Sequence, residues 1–261
     1  YRRRTNPLDG SRTGTFIMTV SAQPIPSGFR APDGMRIYAI GDIHGRVDLL
    51  RDKLAAIDAD LAARPGVNPL RIFIGDYIDR GPDSRGVIDT LVELGRRESC
   101  VFLRGNHEAI LLNFPHNPKL MPAWRSVGGI ETLASYGIAA SPDPDPTEAL
   151  QLANTFERTL PDSHRDFYRK LVISYAAGDL YFVHAGVRPG VPLEAQSVAD
   201  RIWIRHEFLN HEGLFEKLVI HGHTPAPEPE IRPNRINIDT RAFSTGRLTC
   251  IWLEGGYFGF I

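Results

Sequence analysis

The chain has little of what marks secreted, membrane or nucleic-acid-binding proteins. Two cysteines, Cys100 and Cys250, are too few for a disulfide framework in 261 residues. Each lies in an apolar run typical of a strand, so we expect two buried free thiols and a reducing, cytoplasmic location. No stretch approaches the roughly 18 consecutive apolar residues of a membrane span. The formal net charge of -1 gives no electrostatic reason to expect nucleic acid or an anionic membrane as partner.

The composition, with 42% hydrophobic and 23% charged residues, is that of an ordinary globular protein. Residues 1–34 are rich in Gly, Pro, Ser and Thr without a sustained hydrophobic period, and we expect an N-terminal arm or a partly artificial tail. Residues 35–261 are expected to form the folded domain. The Pro-rich stretch at 142–146 and the helical patterns around it predict a helical insertion at about 115–172. Nothing in the sequence indicates an oligomeric state.

Short apolar runs of strand length alternate with amphipathic segments of helical period. The runs lie at 36–40, 70–74, 100–104, 180–183 and 218–220, and the first helical segments at 47–61 and 84–96. Such alternation predicts an α/β fold with buried, largely parallel strands. Three further runs, at 235–239, 248–253 and 257–261, are expected to be strands that close the fold.

Each of the five runs ends in a cluster of polar residues. The clusters are Gly41-Asp-Ile-His-Gly, Gly75-Asp-Tyr-Ile-Asp-Arg-Gly, Gly105-Asn-His-Glu, His184-Ala-Gly and Gly222-His-Thr-Pro. Ligands of α/β sheets gather at the carboxyl ends of the strands, and carboxylate and imidazole are the ligands that suit Mn, Fe and Zn. One such cluster is weak evidence for a metal site, but five in this order are highly specific.

The set of clusters resembles the calcineurin-like metallophosphoesterases, and within them the phosphoprotein-phosphatase branch of protein serine/threonine phosphatases, especially bacterial and phage members. The resemblance runs from Met35 to the C-terminus and includes Gly128-Gly-Ile-Glu-Thr-Leu-Ala-Ser-Tyr-Gly and Ile202-Trp-Ile-Arg. It implies a β-sandwich of mixed sheets flanked by helices, with a two-metal site at the C-terminal ends of the strands.

The resemblance also implies the metal ligands. Asp42 and His44 match the ligands of the first metal, Asp76 matches the carboxylate that bridges both metals, and the second-metal ligands are matched by Asn106, His184 and His223. Two divalent ions are therefore expected, with Mn as the expected metal and Fe or Zn as alternatives. A water held between the two ions would attack phosphorus directly.

The remaining motif residues match the groups that complete such a reaction. His107 resembles the general acid that protonates the leaving oxygen, and Asp79 resembles the carboxylate that orients its imidazole and raises its pKa. Arg80 and Arg205 resemble residues that bind phosphate oxygens, a task that suits the planar guanidinium group. One position departs from the pattern, because Arg241 stands where Gly is expected in an Asp-Thr-Gly-Ala stretch.

Other prominent side chains receive a structural interpretation. We expect His221 to lie behind the ligands without coordinating, and Glu108 to brace its loop. Trp124 and Trp203 are expected to be packing residues. The remaining histidines considered are expected on the surface: His116, His164, His206 and His211.

The resemblance favours a phosphomonoesterase, specifically a protein serine/threonine phosphatase acting on a phosphorylated protein or another phosphomonoester. A dinucleoside tetraphosphate hydrolase, which cleaves a phosphoanhydride at the same kind of site, is the alternative within enzymes. A catalytically inactive relative acting as a binding scaffold is the alternative from another class. The full set of ligands together with His107, Asp79 and Arg80 argues against the scaffold.

Overall fold

Two mixed β-sheets stack face to face in the computed structural model, which describes residues 22–261. The first 21 residues of the expected arm lie outside this range. None of the helices in the described range is long and apolar enough to cross a membrane. The predicted α/β class and the sandwich of mixed sheets flanked by helices are confirmed.

The first sheet has six strands in the order β1-β11-β10-β2-β3-β4. Strands β2, β3 and β4 run parallel, and β10, β11 and β1 are added antiparallel at one side. The strand bounds are β1 Gln23–Pro24, β2 Met35–Ile40, β3 Asn68–Phe73, β4 Cys100–Phe102, β10 Cys250–Glu254 and β11 Tyr257–Phe260.

The second sheet has five strands in the order β5-β6-β7-β9-β8, and its central strands β6, β7 and β9 are parallel. The bounds are β5 Ser174–Ala177, β6 Leu180–Val183, β7 Leu218–His221, β8 Glu230–Ile231 and β9 Arg235–Asn237. Each strand predicted from the apolar runs is therefore present, with ends that differ by at most a few residues.

Helices cover the outer faces and the stretch between β4 and β5. Their bounds are α1 Val47–Ala63, α2 Ser84–Arg97, α3 Asn106–Asn113, α4 Met121–Ser126, α5 Gly129–Ser135, α6 Pro146–Thr159, α7 Asp162–Lys170, α8 Val198–Trp203, α9 His206–Leu209 and α10 Ala242–Thr245. The Asp83 carboxylate accepts the Gly86 N–H and so fixes the start of α2. Val87, Ile88 and Leu91 form its buried face.

Burial of apolar side chains explains the layering. Strand residues alternate between faces, so Ile37 and Ile72 of the first sheet meet Phe182 and Ile220 of the second in one core between the sheets. The opposite face of the first sheet, including Tyr38, packs under the helices. Each large apolar side chain buried in this way is worth about 1.5–3 kcal/mol relative to exposure.

Part of the expected N-terminal arm is packed against the domain. Gln23 and Pro24 pair with the C-terminal strand β11, and Ile25 and Ala31 are buried. The two cysteines are free thiols, as expected, but Cys250 is buried whereas Cys100 is partly exposed.

Candidate metal centre

The five polar clusters meet at one edge of the sandwich. Strands β2, β3 and β4 of the first sheet are parallel, as are β6 and β7 of the second, so the loops after them emerge on one side of each sheet. The contact of Asp76 with His184 shows that these two sides adjoin. These loops carry the residues predicted for the site, and Asn106 and His107 open helix α3 directly after the β4 loop. Buried polar side chains here include Asp42, His44, Asp76, Asp79, Asn106, His107, His184 and His223.

Two groups of donor atoms share one carboxylate. His44, Asp76 and His107 bring their ring nitrogens or oxygens within 4.8 Å of one another, and so do Asp76, His184 and His223. Asp76 Oδ2 lies 3.7 Å from His44 Nε2, while Asp76 Oδ1 lies 3.4 Å from His184 Nε2. Asp76 thus occupies the position between the groups that a bridging ligand requires.

The amide of Asn106 joins the second group. Its Oδ1 lies 3.0 Å from His184 Nε2 and 2.8 Å from His223 Nδ1. Asp42 belongs to neither of the two groups, but its Oδ2 accepts the backbone N–H of His223 at 3.1 Å. The structure therefore gathers all six predicted ligands, but places His107 rather than Asp42 in direct proximity to His44 and Asp76.

His44, His184 and His223 are held as neutral donors, since burial lowers the pKa of each. The Nδ1 atoms of His44 and His184 lie 2.8 and 2.9 Å from backbone carbonyl oxygens, which fixes the tautomer that leaves Nε2 free to coordinate. Burial, with the neighbouring His107, lowers the pKa of His44 to about 3. Burial, with the neighbouring His184, lowers the pKa of His223 to about 2.

These residues fit divalent metal ions. At this site, two buried polar atoms, Asp42 Oδ1 and His223 Nε2, have no hydrogen-bond partner among residues 22–261. Burial of unpaired polar atoms is costly unless another group satisfies them, and a cation supplies that group. Burial and the charges of Asp239 and Asp76 raise the pKa of Asp42 well above its usual range. A nearby positive charge would stabilise the ionised carboxylate and lower this pKa.

His107 is bound to a carboxylate on its far side. Its Nδ1 lies 2.6 Å from Asp79 Oδ2. Asp79 is itself held by Trp124, whose Nε1–H lies 3.1 Å from both carboxylate oxygens, and by the Thr132 hydroxyl, which donates at 2.5 Å. Although burial opposes protonation, Asp76 and Asp79 raise the pKa of His107 to about 9.

Glu108 braces the loops, as predicted. Its carboxylate accepts the backbone N–H groups of Asp76, Tyr77 and Gly105 at 2.8–2.9 Å. It thereby ties the loop after β3 to the loop after β4. Gly105 must remain a glycine, since a Cβ there would clash with the Asp76 carboxylate.

Strained backbone is concentrated at the same place. Of the seven non-glycine residues with positive φ between residues 22 and 261, six surround the site, with φ between 46° and 71°: His44, Asp76, Asp79, Arg80, His223 and Arg241. Such conformations cost of order 1–3 kcal/mol each and persist only where the surrounding structure imposes them. The tight turns aim these side chains at one point.

The chain matches the calcineurin-like phosphoesterase family over residues 35–243. It belongs to this family. A bis(5'-nucleosyl)-tetraphosphatase PrpE [asymmetrical] of Anoxybacillus flavithermus is 31% identical over 81% of this chain and 88% of its own length. A symmetrical bis(5'-nucleosyl)-tetraphosphatase of Acidovorax sp. is 33% identical over 59% of this chain and 45% of its own length.

A solved structure of a candidate diadenosine tetraphosphatase has the same fold, with a TM-score of 0.57 at 23% identity over 87% of this chain and 92% of that one. The family and the two donor groups make this chain a metal-dependent phosphoesterase. These relatives are named as dinucleoside tetraphosphatases, so the expected protein-phosphatase branch stays a prediction.

Members of both donor groups line a cleft of about 770 Å³, namely His44, Asp76, His107 and His223. Arg80 and Arg205 line it, as their predicted contact with phosphate requires. Sequence reasoning did not place Arg125, Asp239 or Phe243 there. Asp239 begins the Asp-Thr-Arg-Ala stretch that contains Arg241. This stretch follows a predicted strand, as the five polar clusters do, and that position could have indicated that Asp239 lies at the site. Arg241 also lines the cleft.

Two structural interpretations were wrong. His164 is fully buried, with its ring nitrogens 2.8 Å from the Tyr136 hydroxyl and 2.9 Å from Asp89 Oδ1, because α7 packs against α2. Trp203 is 47% exposed and lines the cleft, so it is not a packing residue. Trp124 is buried as expected, and His221 lies outside both donor groups beside Arg235.

Proposed function

We propose that this metallophosphoesterase hydrolyses dinucleoside tetraphosphates, the alternative that the sequence left open. The observation that carries the proposal is the number of cationic side chains on the cleft, which is lined by Arg80, Arg125, Arg205 and Arg241. A phosphate monoester presents the oxygens of one phosphate group to such side chains, whereas a chain of four phosphates presents anionic oxygens along its whole length. The names of the relatives support the same substrate class.

We propose that Asp42, His44 and Asp76 would hold one metal ion and that Asp76, Asn106, His184 and His223 would hold the other. Two bound divalent ions would activate a water and neutralise the phosphate charge. Mn remains the expected metal, with Fe or Zn as alternatives, since all three suit imidazole and carboxylate.

The chain's own residues would then act on the substrate. Arg80 and Arg205 would bind oxygens of the phosphate under attack and orient it. His107 would hold its proton at Nε2, because Nδ1 is bound to Asp79, and would give that proton to the oxygen that leaves. One P–O bond forms to the oxygen of water, which loses a proton to solvent, and one P–O bond breaks. The departing nucleotide takes the proton of His107, and His107 is reprotonated from solvent.

The test compares diadenosine tetraphosphate with a phosphoserine peptide at equal concentration, each with Mn²⁺ and with a chelator. We expect metal-dependent cleavage of the dinucleotide and much slower release of phosphate from the peptide. Preference for the peptide would overturn the proposal in favour of the protein phosphatase. Cleavage of either substrate in the chelator would refute the metal requirement.

A further inference from the structure

An aromatic side chain lies beside each of the two donor groups. The Trp203 ring stands edge-on to His223 of one group, with the centroids 6.2 Å apart. The Phe243 ring stands edge-on to His44 of the other group, with the centroids 5.5 Å apart. Because the groups share Asp76 and form one candidate metal centre, that centre has one aromatic ring beside each of its two donor groups.

The two rings differ in how much of their surface is free to contact a ligand. The guanidinium carbon of Arg80 sits 4.7 Å from the Phe243 centroid, so one face of that ring is already covered by a cation. Trp203 is 47% exposed, whereas the other two tryptophans of the chain, Trp124 and Trp252, are 0% and 3% exposed. Because this half-exposed indole lies on the wall of the cleft, it offers a ligand there a flat apolar face and a polar N–H edge.

Cationic side chains accompany both rings along the chain. Arg205 follows Trp203 by two residues, and Arg241 precedes Phe243 by two residues; both are exposed and both line the cleft. A polyphosphate that crosses the shared Asp76 therefore has guanidinium groups available beside each donor group. Of the two neighbouring rings, Trp203 has the free surface on which a planar base can stack.

We propose that Trp203 is the stacking platform for one nucleobase of the substrate. This inference rests on the proposed function and adds to it how the substrate is recognised. The cleft binds one nucleoside through its base and the rest of the molecule through its phosphates. Arg241 is among the residues that bind the phosphates. Every base has a π-face, so stacking accepts adenine and guanine alike. The substrate class is thus nucleoside polyphosphates with either purine base.

The test separates base binding from phosphate binding. The KM for diadenosine tetraphosphate is measured beside the inhibition constant of inorganic tripolyphosphate, which has no base, for wild type, Trp203→Ala and Trp203→Phe. Tyr257→Ala is the matched control, because Tyr257 is 58% exposed and lies outside the residues that line the cleft. Melting temperature and circular dichroism verify that each variant is folded.

We expect Trp203→Ala to raise the KM by a factor of about 5 to 150, the usual range for loss of one stacked base, and to change the tripolyphosphate constant far less. Trp203→Phe keeps an aromatic face for stacking and should therefore raise the KM much less than Trp203→Ala does. Diadenosine tetraphosphate should also quench tryptophan fluorescence in wild type and much less in Trp203→Phe. These effects are a binding signature that a merely structural role would not produce.

An unchanged KM in Trp203→Ala, or equal losses for the dinucleotide and for tripolyphosphate, would overturn the inference while leaving the proposed function intact. Absence of dinucleotide cleavage by the wild-type protein would instead refute the proposed function. The two failures are therefore distinguishable in one series of measurements.

Discussion

His107 Nδ1 lies 2.6 Å from Asp79 Oδ2, and both side chains are buried. The contact orients the imidazole so that Nε2 faces the shared Asp76, at 3.6 Å from its Oδ2. This geometry suits a proton donor, but the same nitrogen is close enough to the first donor group to serve as a ligand. Mutation can separate the two roles.

We predict that His107→Ala retains two metal ions per chain while kcat falls by about 10²–10⁴, the usual value of general-acid help. Metal content by mass spectrometry and steady-state kinetics are measured on the same preparation. His116→Ala, at an exposed histidine, is the control. Loss of one ion in His107→Ala would make His107 a ligand instead of the acid.

Asp76→Asn is expected to lose metal and activity together. The amide side chain cannot serve both donor groups as the carboxylate does, so metal content should fall from two ions per chain to one or fewer. Asp166→Asn, on the exposed face of α7, should keep wild-type content. Two tightly bound ions in Asp76→Asn would exclude the bridging role.

Glu108→Gln should lower the stability of the protein and its rate of hydrolysis, although the predicted metal ligands all remain. Glutamine offers one acceptor oxygen where the carboxylate serves three backbone N–H groups, and an unpaired buried donor costs about 1–3 kcal/mol. Urea unfolding measures the loss, with the exposed Glu93→Gln as control. A variant as stable as wild type would refute the bracing role.

Arg241→Gly should make the protein more stable and less active. Arg241 has φ 56°, a conformation that glycine adopts freely, so relief of strain should raise the free energy of unfolding by up to about 1 kcal/mol. The lost guanidinium should raise the KM for diadenosine tetraphosphate. Thermal unfolding and kinetics check both effects, and an unchanged KM would show that Arg241 does not contact the substrate.

The buried His164 should make stability depend on pH. Burial lowers its pKa despite the hydrogen bond to Asp89, so the folded protein binds its proton less readily than the unfolded chain. This contribution is complete above the unfolded value of about 6.5 and is lost as the pH falls below it. In chelator, the difference in unfolding free energy between wild type and His164→Gln should therefore shrink from pH 8 to pH 5.5. A pH-independent difference would contradict the assignment, and His116→Gln is the control.

The sequence predicted the elements and the gathering of the site better than it predicted individual environments. The apolar run before Asp76 and the polar cluster that contains it belong to one short segment. The strand, the turn and the candidate ligand can therefore be predicted from neighbouring residues alone. His164 is buried by Tyr136 and Asp89, which are 28 and 75 residues away, and no local pattern reports such a contact. The exposure of Trp203 likewise depends on which elements surround α8.

The left-handed residues around the cleft also bear on how this protein can change over evolutionary time. Replacing His44, Asp76 or His223 by glycine would remove a donor atom and relax a strained turn in the same step. A lineage no longer selected for hydrolysis would thus lose backbone strain at these turns as its active site decays. Such a descendant would keep both sheets and would be recognised by glycine at these turns.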